Sequence, residues 1–400
     1  SGYSRLCGRH AEWPPIFYMF YGMALSELHR VAPSHRDHAL AQLDLCARGI
    51  VHVPDALNDA DIPGHLEAHP PVSSALMNGY VGVVLGLREL TAQDGLYADA
   101  LAGVADALAK KIGEDCERAG AVWTSDQATQ LYAIWLSDQV NGTDHGALFS
   151  RWRGLVEERF IEEGTGLLVS YVAVNPDEYL SEPRGSSLNW TVILMADVMP
   201  EFAREQYERT RRRREQRVFS LAAVTEYPKG NLLSFGDLDS GPLVLGFSPA
   251  ATGFALGAHK LFGDEDRFAR VYRVFELFGR PRRDGETSSY YLSNAMGDAI
   301  LLYAKVARPR LRGDEEEYGA QPSVPAPALF VSMRMLHVPS AACHESLRRI
   351  ASVRHESVPT TRSPCAAGRS VLRSAVRPPC TGSDECPGLD PTPCPGEGVH

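Results

Sequence analysis

The chain has 400 residues, 44% of them apolar and 22% charged, with a formal charge of −10. That composition is ample for a large core, and the acidic balance argues against a nucleic-acid partner, which needs a positive surface to displace counterions from phosphate. No run of about 18 apolar residues occurs, so no membrane span is expected.

Ser1, not Met, opens the chain, and "SGYSRLCGRHAEWPP" carries no charged leader with a small-residue cleavage site. We expect a fragment or a processed chain. From Pro15 to about Ala307 one helical pattern follows another, with strand-like alternation almost absent. The clearest is "YADALAGVADALAKKI", where Tyr97, Leu101, Val104, Leu108 and Ile112 recur at spacings of four and three and fall on one stripe. In chain order, helices are expected over 16–31, 36–49, 73–92, 97–112, 124–141, 146–162, 186–198, 200–218, 249–263, 265–279 and 293–307. Short punctuators such as "TAQDG", "NGTD", "FGD" and "GRPRRDG" separate them, lengths that suit antiparallel neighbours. Eleven helices in antiparallel pairs, with one more lost from the N-terminus, make the twelve of an all-α (α/α)6 barrel. No fixed period of about 34 to 47 residues marks a solenoid instead. Stretches rich in small residues, "MNGYVGVVLGL" and "SPAATGFALGA", suit inner helices packed on both sides.

The basic run Arg211 to Arg214, flanked by Glu205, Glu208 and Glu215, reads as a solvated helix face. After about Pro309 the chain turns acidic and then rich in Pro, Ser, Arg and Cys without periodicity. Residues 1–310 are expected to form one catalytic domain and 311–400 a mostly disordered tail. The tail's Cys343, Cys365, Cys380, Cys386 and Cys394 lack paired CxxC spacing, so no zinc site is expected there. Cys7, Cys46 and Cys116 are too scattered for a disulfide framework. They do not report the compartment; the cytoplasm is favoured over the periplasm.

The segment from Ala75 to Asp144 carries "NGYVGVVLGLREL" and, about forty residues later, "WLSDQVNGTD". In these runs it resembles the linalool dehydratase/isomerase family, with its "GHLNLMYGLY"-type helix and its W-x-x-D-x-x-x-GTD pattern. The likeness continues through "GTGLLVSYVAVNPDEYLSEPRGSSLNWTVILM", "DLDSGPLVLGFSPAATGFALGAHKLFGDEDRF" and "GDAILLYAKV", and covers roughly residues 16 to 310. The resemblance implies an (α/α)6 barrel, no metal or organic cofactor, and a homo-oligomer acting on a small-molecule substrate. The family's characterised enzyme dehydrates and isomerises a small tertiary terpene alcohol with an Asp, a Tyr, a His and two Cys around an apolar cavity. Its His position matches Tyr80 and its second Cys position matches Asp126. Its first Cys falls in a segment deleted between Gly120 and Trp123, a further cavity tyrosine matches Leu188, and its Asp and Tyr fall in the unmatched N-terminal region. Every matched polar position is changed, so linalool itself is not the expected substrate.

Asp126 has two readings. With Thr124 and Ser125 it precedes the apolar set Ala128, Leu131, Tyr132 and Trp135, where an acceptor caps free helix N–H groups. As a catalytic carboxylate in a partly apolar cavity it would have its pKa raised by desolvation, which suits general acid/base work. Tyr80 is either a core tyrosine or its hydrogen-bond partner. Asp237 and Asp239, two residues apart between Gly236 and Gly241, are either loop caps or a carboxylate pair in which one keeps its proton. Trp123, Gln127, Trp190 and Leu188 are the candidate substrate-binding residues. His145, Glu157 and His259 are expected on surfaces without a partner at useful spacing. No GxGxxG after a strand, GxSxG, HExxH or P-loop occurs.

The leading expectation is a cofactor-independent lyase or isomerase for a small, largely apolar alcohol or alkene. Asp126 would be its acid/base, Tyr80 the partner, and Asp237 or Asp239 a second acid. The alternatives are a carbohydrate-active enzyme, an inverting glycosidase or sugar epimerase with Trp123, Asp126 and Asp237 at its centre, and a non-catalytic helical scaffold.

Overall fold

Apolar residues at helical spacing fold as the sequence dictates. The computed structural model describes residues 13–51, 75–118, 122–174, 178–228, 236, 240–284 and 287–309. Among them run eleven α-helices: α1 (Trp13–Val31), α2 (Arg36–Ile50), α3 (Ala75–Ala92), α4 (Ala98–Arg118), α5 (Thr124–Asn141), α6 (Gly146–Arg159), α7 (Gly185–Val198), α8 (Pro200–Arg214), α9 (Pro249–Leu261), α10 (Glu265–Phe278) and α11 (Ala295–Val306). Their ends follow local chemistry. Ser248, Asp264 and Asn294 cap α9, α10 and α11 by accepting from the backbone N–H groups of Ala251, Arg267 and Gly297. Gly142, in the left-handed region at φ 68°, stops α5.

Strands are more frequent than expected. Three small antiparallel sheets lie in the connections among the described residues: β1 (Val122–Trp123), β2 (Tyr171–Val174) and β3 (Glu178–Leu180) form one, β4 (Glu215–Val218) and β5 (Leu221–Val224) a second, and β6 (Pro281–Asp284) and β7 (Thr287–Tyr290) a third. Each strand has two to four residues, too few for alternation to show. One of them corrects a boundary. α8 ends at Arg214 rather than 218, because Glu215 to Val218 leave the helix to pair with Leu221 to Val224 around Phe219 at φ 53°.

The packing order is α1 on α3, α3 on α5, α5 on α7, α7 on α9, α9 on α11, and α11 back on α1. The other helices lie against this series: α2 on α1 and α3, α4 on α3 and α5, α6 on α4, α8 on α7, and α10 on α9. Glycines set the approach of α3 to α5. A Cβ added at Gly82 would stand 2.8 Å from the Ala133 Cβ, and one at Gly86 2.6 Å from the Leu136 Cβ. Both sequences advance together along this contact, so the two helices run parallel. The same holds for α7 and α9, where Phe254 meets Trp190 and Gly257 meets Ile193. The expectation that α3 and α9 are packed all round agrees with their nearly continuous buried runs, Gly79 to Glu89 and Ala251 to His259.

The basic run at the end of α8 is only partly solvated. Arg212 and Arg213 are exposed, but Arg211 pairs with Glu208 and Asp264, and Arg214 is buried with its guanidinium donating to the Pro183 carbonyl at 2.7 Å. Burial lowers the pKa of Arg214. No helix of the described residues is long and apolar enough to cross a membrane. The expected tail, 311–400, lies outside the described residues, as do Cys7, Asp237 and Asp239.

Candidate functional site

Trp190, in the middle of α7, gathers the helices of the packing series. Its ring meets Phe20 of α1 at 5.2 Å, Phe254 of α9 at 5.3 Å and Tyr80 of α3 at 6.3 Å, all edge to face. Its indole Nε1 donates to Thr129 Oγ1 of α5 at 3.0 Å. Phe20 also stacks on Phe254 at 5.4 Å and meets Tyr303 of α11 at 6.1 Å. One side chain from each of six helices thus enters a single cluster, in which each large side chain contributes roughly 1.5–3 kcal/mol by leaving water. Leu188, two residues before Trp190, is fully buried in the same core.

Asp126 stands at the N-terminal end of this cluster, where the backbone fixes it. β1 pairs Trp123 with Tyr171 of β2, the two rings lie 4.9 Å apart, and Thr124 donates from its backbone to the Ser170 carbonyl at 3.0 Å and from its hydroxyl to the Val169 carbonyl at 2.7 Å. α5 therefore starts at Thr124 with Trp123 in the cap position, and Asp126 is the third residue of the first turn, not the cap. Asp126 is partly buried and lies one turn, about 4.5 Å of helix rise, before Thr129. Gln130, four residues on and 5% exposed, has its side-chain carbonyl Oε1 buried without a hydrogen-bond partner, as is the Thr191 hydroxyl on α7.

The other candidates divide. Tyr80 is buried against Trp190. Gln127 points to α6, accepting from Trp152 Nε1 at 2.9 Å, which takes its carbonyl away from the Trp190 cluster. Trp123 is 42% exposed beside Tyr171. Asp237 and Asp239 lie outside the described residues, but the start of α9 that follows them is capped by Ser248.

Two groupings were not legible in the sequence. His259 is not on the surface: it is 2% exposed, its Nδ1 is 3.0 Å from the Tyr207 hydroxyl and its Nε2 3.0 Å from Glu215 Oε2. Tyr207 also donates to Asp264 Oδ2 at 3.1 Å, and Arg267 bridges Glu215 and Asp264. These partners come from α8, β4 and α10, 44 to 52 residues away or across a turn, so no local spacing signals them. His145 likewise has a partner, Asp138 Oδ1 at 2.6 Å, while Glu157 pairs with Arg153 on the exposed face of α6. The second grouping is a cavity of about 310 Å³ at the C-terminal ends of α1, α3, α5 and α7, lined among others by Glu27, Tyr132, Trp135, Asp197 and Arg308.

Among the described residues no three His, Cys, Asp or Glu side chains converge as a metal site. No protein-family model matches the chain, and no curated protein matches its sequence significantly.

Proposed function

We propose that the chain is an (α/α)6 toroid of the linalool dehydratase/isomerase type and acts as a cofactor-independent lyase or isomerase on a small, largely apolar alcohol or alkene. The observation that carries this reading is the cluster around Trp190, an aromatic floor built from six helices with a carboxylate, Asp126, one turn above it on α5. The packing order that returns from α11 to α1 supports the toroid, and a homo-oligomer belongs to the same proposal. In dehydration, the Asp126 carboxyl gives its proton to the substrate hydroxyl, and the C–O bond breaks with its electron pair leaving as water. The resulting carboxylate then takes a proton from the adjacent carbon, whose C–H pair becomes the C=C bond. Tyr80 holds the substrate oxygen, Trp190 and Leu188 form the wall, and Asp237 or Asp239 supplies a second acid.

The test is to incubate the full chain with small tertiary and allylic alcohols and follow alkene formation by gas chromatography. Turnover that falls by about 10²–10⁴ in Asp126→Asn, with the circular dichroism of the wild type retained, is expected for loss of a general acid/base. Equal turnover in that variant, or none in the wild type across the alcohol series, overturns the assignment.

A second reading has its own observation. The half-exposed Trp123 ring on Tyr171, three residues from Asp126, is a platform on which a sugar ring would stack. A carbohydrate-active enzyme would release or epimerise sugar, and Trp123→Ala would raise KM there while leaving alcohol turnover unchanged. A helical scaffold remains the reading if neither substrate class is turned over.

A further inference from the structure

On α1, α3, α5 and α7 the residues lining the 310 Å³ cavity follow those of the Trp190 cluster, whereas Asp126 precedes it. The cavity therefore lies on the far side of the aromatic floor from Asp126, with Tyr303 belonging to both. Its most buried charge is Glu27, 5% exposed on α1. The Glu27 carboxylate accepts from Arg308 Nε at 2.7 Å. Arg308 itself is 44% exposed and sits two residues past the end of α11. A carboxylate withdrawn from water requires a cation beside it, and here that cation is Arg308, which reaches in from just past the end of α11 and is itself part of the cavity lining. Asp197 adds a second carboxylate, and Tyr132 and Trp135 stack at 5.8 Å, presenting aromatic surface that attracts cations. Met23, Leu87 and Leu136 supply apolar surface, and the volume matches the lower end of small-ligand sites, about 300 Å³.

We propose that this chamber binds a small organic cation, a guanidinium or primary ammonium group on a short apolar chain, and that Arg308 is the competing occupant of Glu27. The incoming cation takes the place of the Arg308 guanidinium on the Glu27 carboxylate, its chain lies on Met23, Leu87 and Leu136, and Arg308 swings into solvent. Arg30, exposed at the rim, limits the site to ligands whose charge reaches Glu27.

Isothermal titration of the full chain with n-butylguanidine, n-butylammonium and the uncharged n-butylurea tests this directly. The two cations are expected to bind and the urea not to, with binding lost in Glu27→Gln. Removing the competitor in Arg308→Ala should tighten cation binding by about tenfold or more. Equal binding of the guanidine and the urea, or wild-type affinity in Glu27→Gln, overturns the proposal, as does a folded Arg308→Ala protein with no gain. Should Arg308→Ala not fold, the Arg308 Nε resonance of the wild type decides. A shift on adding n-butylguanidine supports displacement, and an unmoved resonance with the guanidine bound refutes it.

Discussion

The Trp190 indole on α7 donates to the Thr129 hydroxyl on α5 at 3.0 Å, and the same hydroxyl donates to the Ser125 carbonyl one turn back at 3.1 Å. Thr129 thus joins two helices and anchors the turn that carries Asp126. Valine has the same shape but leaves the indole N–H buried without an acceptor, a loss of about 1–3 kcal/mol. Thr129→Val should lower the urea-unfolding free energy by that amount and Thr129→Ser by much less. If both variants unfold alike, the bond is not what holds the pair.

The close approach of α3 and α5 makes a second prediction. Gly82→Ala and Gly86→Ala place a methyl against Ala133 and Leu136 at distances no packed Cβ tolerates, so each should cost about 1–3 kcal/mol through overpacking. Gly103 of α4 has no atom within 4 Å of an added Cβ. Gly103→Ala should instead stabilise by about 0.5–1 kcal/mol through helix propensity. Thermal melts of the three variants would separate the two effects; a stabilising Gly82→Ala would contradict the described contact.

Glu215 predicts a response to acid. Burial pushes its carboxyl up, but its pairing with His259 and Arg267 outweighs that and holds the pKa below the ordinary value of 4.5. A carboxylate whose folded pKa is depressed contributes stability that is present above the unfolded value and is lost as pH falls through the folded one. Stability should therefore drop as pH is taken below about 4.5, and Glu215→Gln should show a shallower drop. Parallel pH–stability curves for the two proteins would remove Glu215 from the acid response.

Asp298, in the first turn of α11, acts in the opposite sense. Burial raises its pKa to about 6, against the partial relief of the Tyr290 backbone N–H. A raised carboxyl favours folding while protonated, so its contribution is present below the unfolded value of 3.8 and is lost as pH rises through about 6. The Asp298 carboxyl carbon should titrate near pH 6 by NMR. Asp298→Asn, which mimics the protonated form, should gain on the wild type between pH 4 and 7. A carboxyl midpoint below 4 would rule this out.

How much was legible in the sequence follows from the range over which each feature is encoded. The span of α5, 124–141, is set by its own apolar spacing and by Gly142, and was readable residue for residue. Asp126 could be singled out and placed in the first turn; what the sequence did not carry is that Ser170 and Tyr171, more than forty residues away, anchor that start. The end of α8 was misplaced for a similar reason, since Glu215 to Val218 satisfy helical patterning and leave the helix only to pair with β5. His259 looked like a surface residue because its partners, Tyr207 and Glu215, are brought to it by two other elements, α8 and β4.

By itself the sequence determined the eleven helices, their approximate ends and the buried character of α3 and α9. Each of these depends on periodicity and on capping residues within one helix length, where backbone geometry alone relates the side chains. Tertiary structure decided the rest: that Phe20, Tyr80, Thr129, Trp190, Phe254 and Tyr303 meet, that Gln127 turns to Trp152, and that Arg308 closes on Glu27 across 281 residues of chain. Such meetings follow from which helix packs on which and at what angle. Those are properties of the whole set of buried surfaces, and no local spacing carries them.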